Sequence, residues 1–249
     1  MSLITKVSER LQIVYRLILN PKVVKYTIYS AILTFIPCII IGYIVANLDA
    51  TPFNFWQKTI SSLGSRNETF IPKFLDDGAM LTSILLIPMG FSLHKHLITV
   101  KDVNKSEDRS KLRLLLAHLG LMFFLIGLVG FFGIGFYSVD VGNALGDIAY
   151  FGTRALNIHD IFSAVVFLGL GISGVFFGLS ISVYKTFITN RRFALIVGIY
   201  LIFVPITIAL CYVLITPIIY VLEWILLFSL FGGMIPLAIT LVRKINREE

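Results

Sequence analysis

The sequence predicts an all-α membrane protein, a bundle of six transmembrane helices preceded by an amphipathic N-terminal helix. Three observations lead to this fold class. Hydrophobic residues make up 57% of the 249-residue chain and charged residues only 14%, which is too apolar for a soluble domain of this size. The mean hydropathy is +0.90. Six apolar runs each reach or exceed the roughly 18–20 residues that cross a bilayer core.

The polar stretches between these runs are too short to form a second domain, so residues 1–249 are predicted to form one membrane domain. The expected spans cover residues 26–47, 79–97, 112–137, 161–184, 193–215 and 218–242.

The distribution of positive charge predicts the orientation of the spans. The 21 Lys and Arg residues give a net charge of +7, and only Lys58, Arg66, Lys73 and Arg154 lie in the loops at one end of the predicted bundle. Because positive loops stay on the cytoplasmic side, both termini are expected to be cytoplasmic. The basic face would then meet anionic lipid headgroups, and nucleic acid is not an expected partner. We expect the protein in the cell membrane rather than in an internal membrane.

The first 20 residues have the pattern of an amphipathic helix. Apolar residues recur at helical spacing from Leu3 to Ile18, charged residues occupy the other face, and Pro21 is expected to end the helix. This pattern favours a helix that lies in the inner membrane interface. The alternative is a cytoplasmic extension of the first span.

The first outer loop, residues 48–78, carries several motifs. Its aromatic segment at 51–56 suits the membrane interface. Residues 57–63 are predicted to form a short helix that Gly64 caps, and Asn67 begins a glycosylation sequon.

Ionisable residues near the outer ends of three spans are the candidate functional site. Such groups are costly at membrane depth and are therefore candidates for function. If the helices converge, these groups would form a polar, acidic pocket that recognises a lipid headgroup. The candidates are Asp76, Asp77, Arg154, His159, Asp160 and Glu223.

The same residues leave other interpretations open. A His with carboxylates could bind a metal that activates water, and a His–Asp pair could act as a general base. Alternatively, Asp76, Asp77 and Asp160 simply offset helix dipoles at the starts of their spans. The sequence therefore leaves open whether the protein is an enzyme, and it identifies no cofactor.

Other candidate sites in the sequence are weaker. His94 and His96 are two residues apart, so they face different ways on a helix and are not expected to bind a metal together with His118. A G-x-G-x-x-G match at 169–174 lies inside a span, so it does not predict a nucleotide site. It predicts close packing instead, and the small residues at 127, 130 and 133 make the third span the expected partner.

A resemblance to a known group follows from the outer loop. Residues 60–64 read Ile-Ser-Ser-Leu-Gly, and Pro72, Phe74, Gly78 and His159 follow at matching positions. The arrangement resembles the six-span DRAM/Sfk group and uncharacterised prokaryotic membrane families with a similar loop. The resemblance implies lipid handling without a defined reaction. By position, Ser61, Gly64, Pro72 and His159 would be the functional residues.

Three functions follow as hypotheses. The first is lipid handling, with membrane lipids as partners. The second is transport of a small molecule or ion, which would require polar residues at mid-membrane depth. The third is a scaffold that binds a protein partner through its basic cytoplasmic face.

Overall fold

Helices account for nearly all of the described chain. The computed structural model describes residues 12–48, 52–99, 107–151, 154–184, 186–214 and 219–248. Two three-residue strands form the one hairpin in these ranges. The elements are α1 (Pro21–Ala46), α2 (Lys73–Leu85), α3 (Ile87–Ile98), α4 (Glu107–Phe136), α5 (Val139–Leu145), β1 (Ala149–Phe151), β2 (Arg154–Leu156), α6 (Ile158–Val183), α7 (Arg191–Leu214) and α8 (Ile219–Glu248).

Six helical stretches are long and apolar enough to cross a membrane, as the sequence predicts. They are Pro21–Ala46, Lys73–Ile98, Lys111–Phe136, Ile158–Val183, Arg191–Ile208 and Tyr220–Arg247. The protein is therefore a multi-pass membrane protein.

Successive spans run antiparallel, so their connections alternate between two ends of the bundle. Along the contact between α4 and α6, residue numbers rise on α4 while they fall on α6. Gly120 lies against Phe177 at one end, and Gly133 lies against Phe162 at the other. We call the end that carries residues 52–72, 138–151 and 154–157 the loop face. The opposite end, which carries most of the Lys and Arg residues, is the basic face.

The third and fourth predicted spans, α4 and α6, pack closely, which confirms the contact expected from their glycines. A Cβ built on Gly169 would lie 2.6 Å from the Cα of Gly127, and one on Gly130 would lie 2.6 Å from the backbone nitrogen of Val166. These distances leave no room for side chains. The two backbones therefore approach as closely as small residues allow in membranes.

The second glycine pair of α6 faces a different helix. Gly174 and Gly178 lie against α7, where a Cβ on Gly178 would be 2.6 Å from the carbonyl oxygen of Gly198. On the α4 side, Ser173 donates a 2.8 Å hydrogen bond to the carbonyl oxygen of Gly120. The single glycine-rich run of the sequence thus supports two different interfaces.

The second span is longer than predicted and is interrupted. It begins at Lys73 rather than near residue 79, and it divides between α2 and α3 at Leu86. Pro88 lies in the first turn of α3. A proline has no N–H to donate and its ring crowds the carbonyl group four residues earlier, which explains a break one turn upstream.

The N-terminal helix is described only in part. Residues 12–18 are helical, and residues 1–11 of the predicted amphipathic helix lie outside the described residues. Pro21 stands at the start of α1, where its missing N–H costs nothing, and Asn20 caps that helix by accepting from the Lys22 N–H at 3.0 Å. Pro21 therefore begins the first span as much as it ends the preceding helix.

Candidate functional site

The centre of the loop face is a short 3-10 helix over Ser61–Gly64, which we call the loop helix. It is shorter than the helix predicted over residues 57–63, and Gly64 lies inside it rather than capping it. The only positive φ in the described residues belongs to Gly146, so Gly64 is not needed for a left-handed turn. Its role is steric, because a Cβ at this position would overlap the carboxylate of Asp76.

Three carboxylates from different parts of the bundle surround the loop helix. Glu223 of α8 accepts a 3.3 Å hydrogen bond from the Ser61 N–H at its start. Asp76 of α2 lies against Gly64 at its end. Asp140 of α5 accepts from the hydroxyl of Ser65 at 2.7 Å. Glu223 and Asp140 therefore fix the loop to the bundle through its backbone N–H and hydroxyl groups, whereas Asp76 contacts it at Gly64.

Asp140 was not among the predicted site residues. It also accepts a 3.0 Å hydrogen bond from the Arg66 N–H, so both of its oxygens bind the segment after the loop helix. The sequence marks Asp140 only as one of several acidic residues at this end. Its partners are 74 and 75 positions away along the chain, and no local pattern connects them.

The preceding part of the loop is held by an aromatic cluster and an ion pair. The Nε1–H of Trp224 donates a 3.0 Å hydrogen bond to the carbonyl oxygen of Lys58. Its ring packs edge-on against Tyr43 and is tilted toward Phe53, with centroids 6.3 and 6.2 Å away. Lys58 also forms an ion pair with Glu68. The loop is thus anchored on α8 at two successive residues, Glu223 and Trp224.

Asp160 forms a capping box at the start of α6. Its carboxylate accepts from the Asn157 N–H at 3.2 Å, and the Asn157 side chain accepts from the Asp160 N–H at 3.0 Å. The carboxylate therefore satisfies the helix terminus, as the helix-dipole interpretation expects. Strand β2 brings the Arg154 backbone to this region, but the Arg154 side chain lies outside the described residues.

His159 is buried between the end of α4 and α5, with 5% of its surface exposed. Its Nδ1 lies 2.7 Å from the carbonyl oxygen of Tyr137, so this nitrogen carries the proton. Its Nε2 is buried and has no hydrogen-bond partner among the described residues. Gly142 of α5 packs on the Cβ of His159. This histidine therefore joins three consecutive helices where the chain turns back into the bundle.

A cleft of about 610 Å³ opens on the loop face beside the start of α2. It holds two predicted site residues, Pro72 and Asp77, together with two cations that the prediction omitted, Arg66 and Lys73. The charged side chains Arg66, Lys73 and Asp77 are exposed, and none of them forms an ion pair within the described residues. The rest of the lining is Thr69, Phe70, Ile71 and Phe74.

The predicted acidic pocket is therefore distributed over separate places. Asp77 and Pro72 line the cleft, Asp76 packs against Gly64, Glu223 bonds to the start of the loop helix, and His159 and Asp160 order the start of α6. Among the described residues, no group of three His, Cys, Asp or Glu side chains has the geometry of a metal site.

The histidines of the basic face are arranged as their spacing predicts. His94 is buried and meets the ring of His118 on α4, with centroids 4.7 Å apart, whereas His96 turns toward Phe187. His118 bonds to its own helix through the Leu114 carbonyl oxygen at 2.7 Å.

Two arginines also close helix ends at the basic face. Arg191 donates to the carbonyl oxygens of Ile181, Ser182 and Tyr184, and Arg113 donates to that of Ile98. These cations satisfy carbonyl groups that have no partner inside their own helices.

No protein-family model, curated protein or solved structure matches this chain.

Proposed function

We propose that this protein handles membrane lipid and that the cleft between Arg66 and Asp77 binds a phospholipid headgroup. The observation that carries the proposal is the set of three charged side chains around one cleft, none of which has an ion-pair partner within the described residues. The phosphate groups of the surrounding lipids lie at the level of the helix ends of a protein that spans the membrane. The loop face is then the outer face, as the positive-inside pattern predicts.

The position of the cleft supports lipid as its occupant. Phe70 and Phe74, which line it, are 73% and 40% exposed. Exposed aromatic rings at the end of a span suit the boundary between headgroups and acyl chains. A lipid could therefore place its phosphate among the charges while its glycerol and upper chains rest on these rings.

The walls of the cleft are held in place from behind. The Arg66 N–H is fixed by Asp140, and the Thr69 side chain accepts from the Ile71 N–H at 3.2 Å. The other wall is the first turn of α2. Such support keeps the charged groups at a set separation, which lowers the entropy lost on binding.

The lining favours recognition over chemistry. It contains no histidine or cysteine, and its one hydroxyl side chain, that of Thr69, is only 3% exposed and accepts a hydrogen bond from the Ile71 N–H. A nucleophile and its base would have to lie within hydrogen-bond reach of each other. We therefore propose binding, presentation or distribution of lipid rather than its hydrolysis.

Polar groups inside the bundle give transport less support. The hydroxyl of Ser83 donates to the carbonyl oxygen of Met80 in its own helix, and that of Ser173 donates across to Gly120. Both groups are used in helix structure and packing, whereas a solute pathway needs polar groups that are available to the solute.

The test is native mass spectrometry of the protein extracted in mild detergent, with the retained lipids identified. The double variant Arg66→Gln/Lys73→Gln should lose most of the phospholipid that the unmodified protein retains. The matched control is Lys95→Gln/Arg192→Gln, which removes one exposed lysine and one exposed arginine from the basic face. Equal lipid retention in both double variants would rule out the cleft as the binding site.

A further inference from the structure

We infer that the cleft selects a zwitterionic phospholipid whose headgroup carries a terminal ammonium group. Arg66 and Lys73 would bind the phosphate and Asp77 the ammonium. The inference rests on the proposed function and specifies the class of lipid. It follows from the signs of the three charges, two cations and one carboxylate. The predicted acidic pocket included neither of the two cations, Arg66 and Lys73.

The phosphate side of the cleft is formed by two cations from different segments. Arg66 follows the loop helix, and Lys73 is the first residue of α2. A lysine at a helix start is unfavourable by itself, because the helix dipole is positive there. A bound phosphate would offset both charges, and an arginine fork matches phosphate oxygens well.

The start of α2 adds to the same preference. Its N-cap residue is Pro72, and no side chain caps the first turn. Pro72 thus offers no side-chain acceptor to this turn, in which the Phe74 N–H donates to the Ile71 carbonyl oxygen at 3.1 Å. Phosphate oxygens are suitable acceptors for the backbone N–H groups of a helix start. The start of α2 would thus add to phosphate binding by the two cations and is not a binding site by itself.

The ammonium side of the cleft is Asp77. It lies four residues after Lys73 on α2, a spacing that puts two side chains on the same helix face. The two nevertheless form no ion pair, and Asp77 remains exposed at the cleft. A headgroup in which a two-carbon bridge joins phosphate to ammonium could contact both residues at once.

The same arrangement disfavours anionic lipids. Phosphatidylglycerol has a phosphate but no cation for Asp77, and phosphatidylserine carries a carboxylate beside its ammonium group, which would oppose the approach of that ammonium to Asp77. Two carboxylates that approach each other in one cleft repel, even where solvent partly screens their charges. Phosphatidylethanolamine should therefore bind better than phosphatidylglycerol.

The experiment is a competition between two lipids. The full chain is placed in nanodiscs that contain phosphatidylethanolamine and phosphatidylglycerol in equal amounts. It is then extracted, and each bound lipid is counted by native mass spectrometry. The unmodified protein should retain about 1.5- to fivefold more phosphatidylethanolamine, the range expected for one exposed charge pair. Asp77→Asn should abolish this preference by lowering the amount of phosphatidylethanolamine that the protein retains. Asp147→Asn, which changes an exposed carboxylate of the loop face outside the cleft lining, should keep the preference.

The outcomes separate the two proposals. A preference for phosphatidylglycerol, or a preference for phosphatidylethanolamine that Asp77→Asn leaves intact, would overturn the inference while the cleft remains a lipid site. Retention that Arg66→Gln/Lys73→Gln leaves unchanged would overturn the site itself. Displacement of the lipid by an equal concentration of soluble phosphoethanolamine would show that the headgroup alone is recognised, which would overturn a lipid as the ligand.

Discussion

Ser65 and Asp140 are joined by a 2.7 Å hydrogen bond from the serine hydroxyl to the Asp140 carboxylate. This bond links the loop after the first span to the short helix after the third. With the Arg66 N–H on the other carboxylate oxygen, it holds the wall of the cleft that carries Arg66. The position of a proposed ligand-binding cation thus depends on an acidic residue outside the cleft lining.

Replacing Asp140 by alanine should loosen this wall. Two hydrogen bonds to a charged acceptor would be lost, and we expect a loss of about 1–3 kcal/mol in the free energy of unfolding. Thermal unfolding in detergent would measure the change. Asp147→Ala is the control, because Asp147 is exposed and no hydrogen bond or ion pair to it is found within the described residues. Equal melting temperatures for the two variants would contradict the prediction.

Trp224→Phe tests the anchor on α8. The phenylalanine keeps most of the ring contacts but cannot donate to the Lys58 carbonyl oxygen, so we expect a loss of about 1 kcal/mol in the free energy of unfolding.

Trp56 is the only other tryptophan, and it is 63% exposed. In a Trp56→Phe background the fluorescence of Trp224 reports on the anchor alone.

Fluorescence of that single-tryptophan protein should be typical of a buried ring and should shift to longer wavelength when Glu223 is changed to alanine, because the adjacent loop would open to water. An unshifted spectrum in the Glu223→Ala variant would show that the loop does not depend on this carboxylate. The Trp56→Phe variant itself should unfold at the same temperature as the unmodified protein.

Gly169→Ala should destabilise the packing of α4 against α6. The added Cβ would lie 2.5 Å from the backbone nitrogen of Gly127, so the helices would have to separate. Overpacking of this kind costs about 1–3 kcal/mol. Gly171→Ala is the matched control on the same helix, because the nearest atom to its added Cβ, the Pro205 Cβ, would be 3.4 Å away, an ordinary contact distance. Similar melting temperatures for both variants would contradict the close contact.

Asp160→Ala should lower stability without changing lipid binding. The carboxylate completes the capping box with Asn157, and loss of such a cap costs about 1 kcal/mol. Native mass spectrometry should find the same retained lipid as in the unmodified protein. A variant that is stable but has lost its lipid would return Asp160 to the binding site and contradict its assignment as a cap.

The N-terminal glycines of the packing motifs show how far sequence patterns reach. Small residues recur on both the third and the fourth span and predict that these spans pack together, and the close approach of Gly127 and Gly169 confirms this contact. The spacing of small residues could not show that Gly174 and Gly178 face α7. A helix contacts different neighbours on its different faces, and the sequence does not indicate which helix packs against which face.

The loop face was harder to predict for a related reason. Gly64 was expected to cap a helix, whereas its small size makes room for Asp76, which comes from another span. Arg66 and Lys73 were counted as minor exceptions to the charge pattern, and only the fold places them around the same cleft as Asp77.

The sequence by itself determined the six apolar spans, because a bilayer requires long runs of apolar residues and helical hydrogen bonding within each run. It also determined the concentration of basic residues at one end of the bundle. The tertiary structure decided which polar residues meet. The partners of Asp140, Glu223 and Trp224 lie 74 to 166 positions away, and contacts over such separations arise from helix packing rather than from any local pattern.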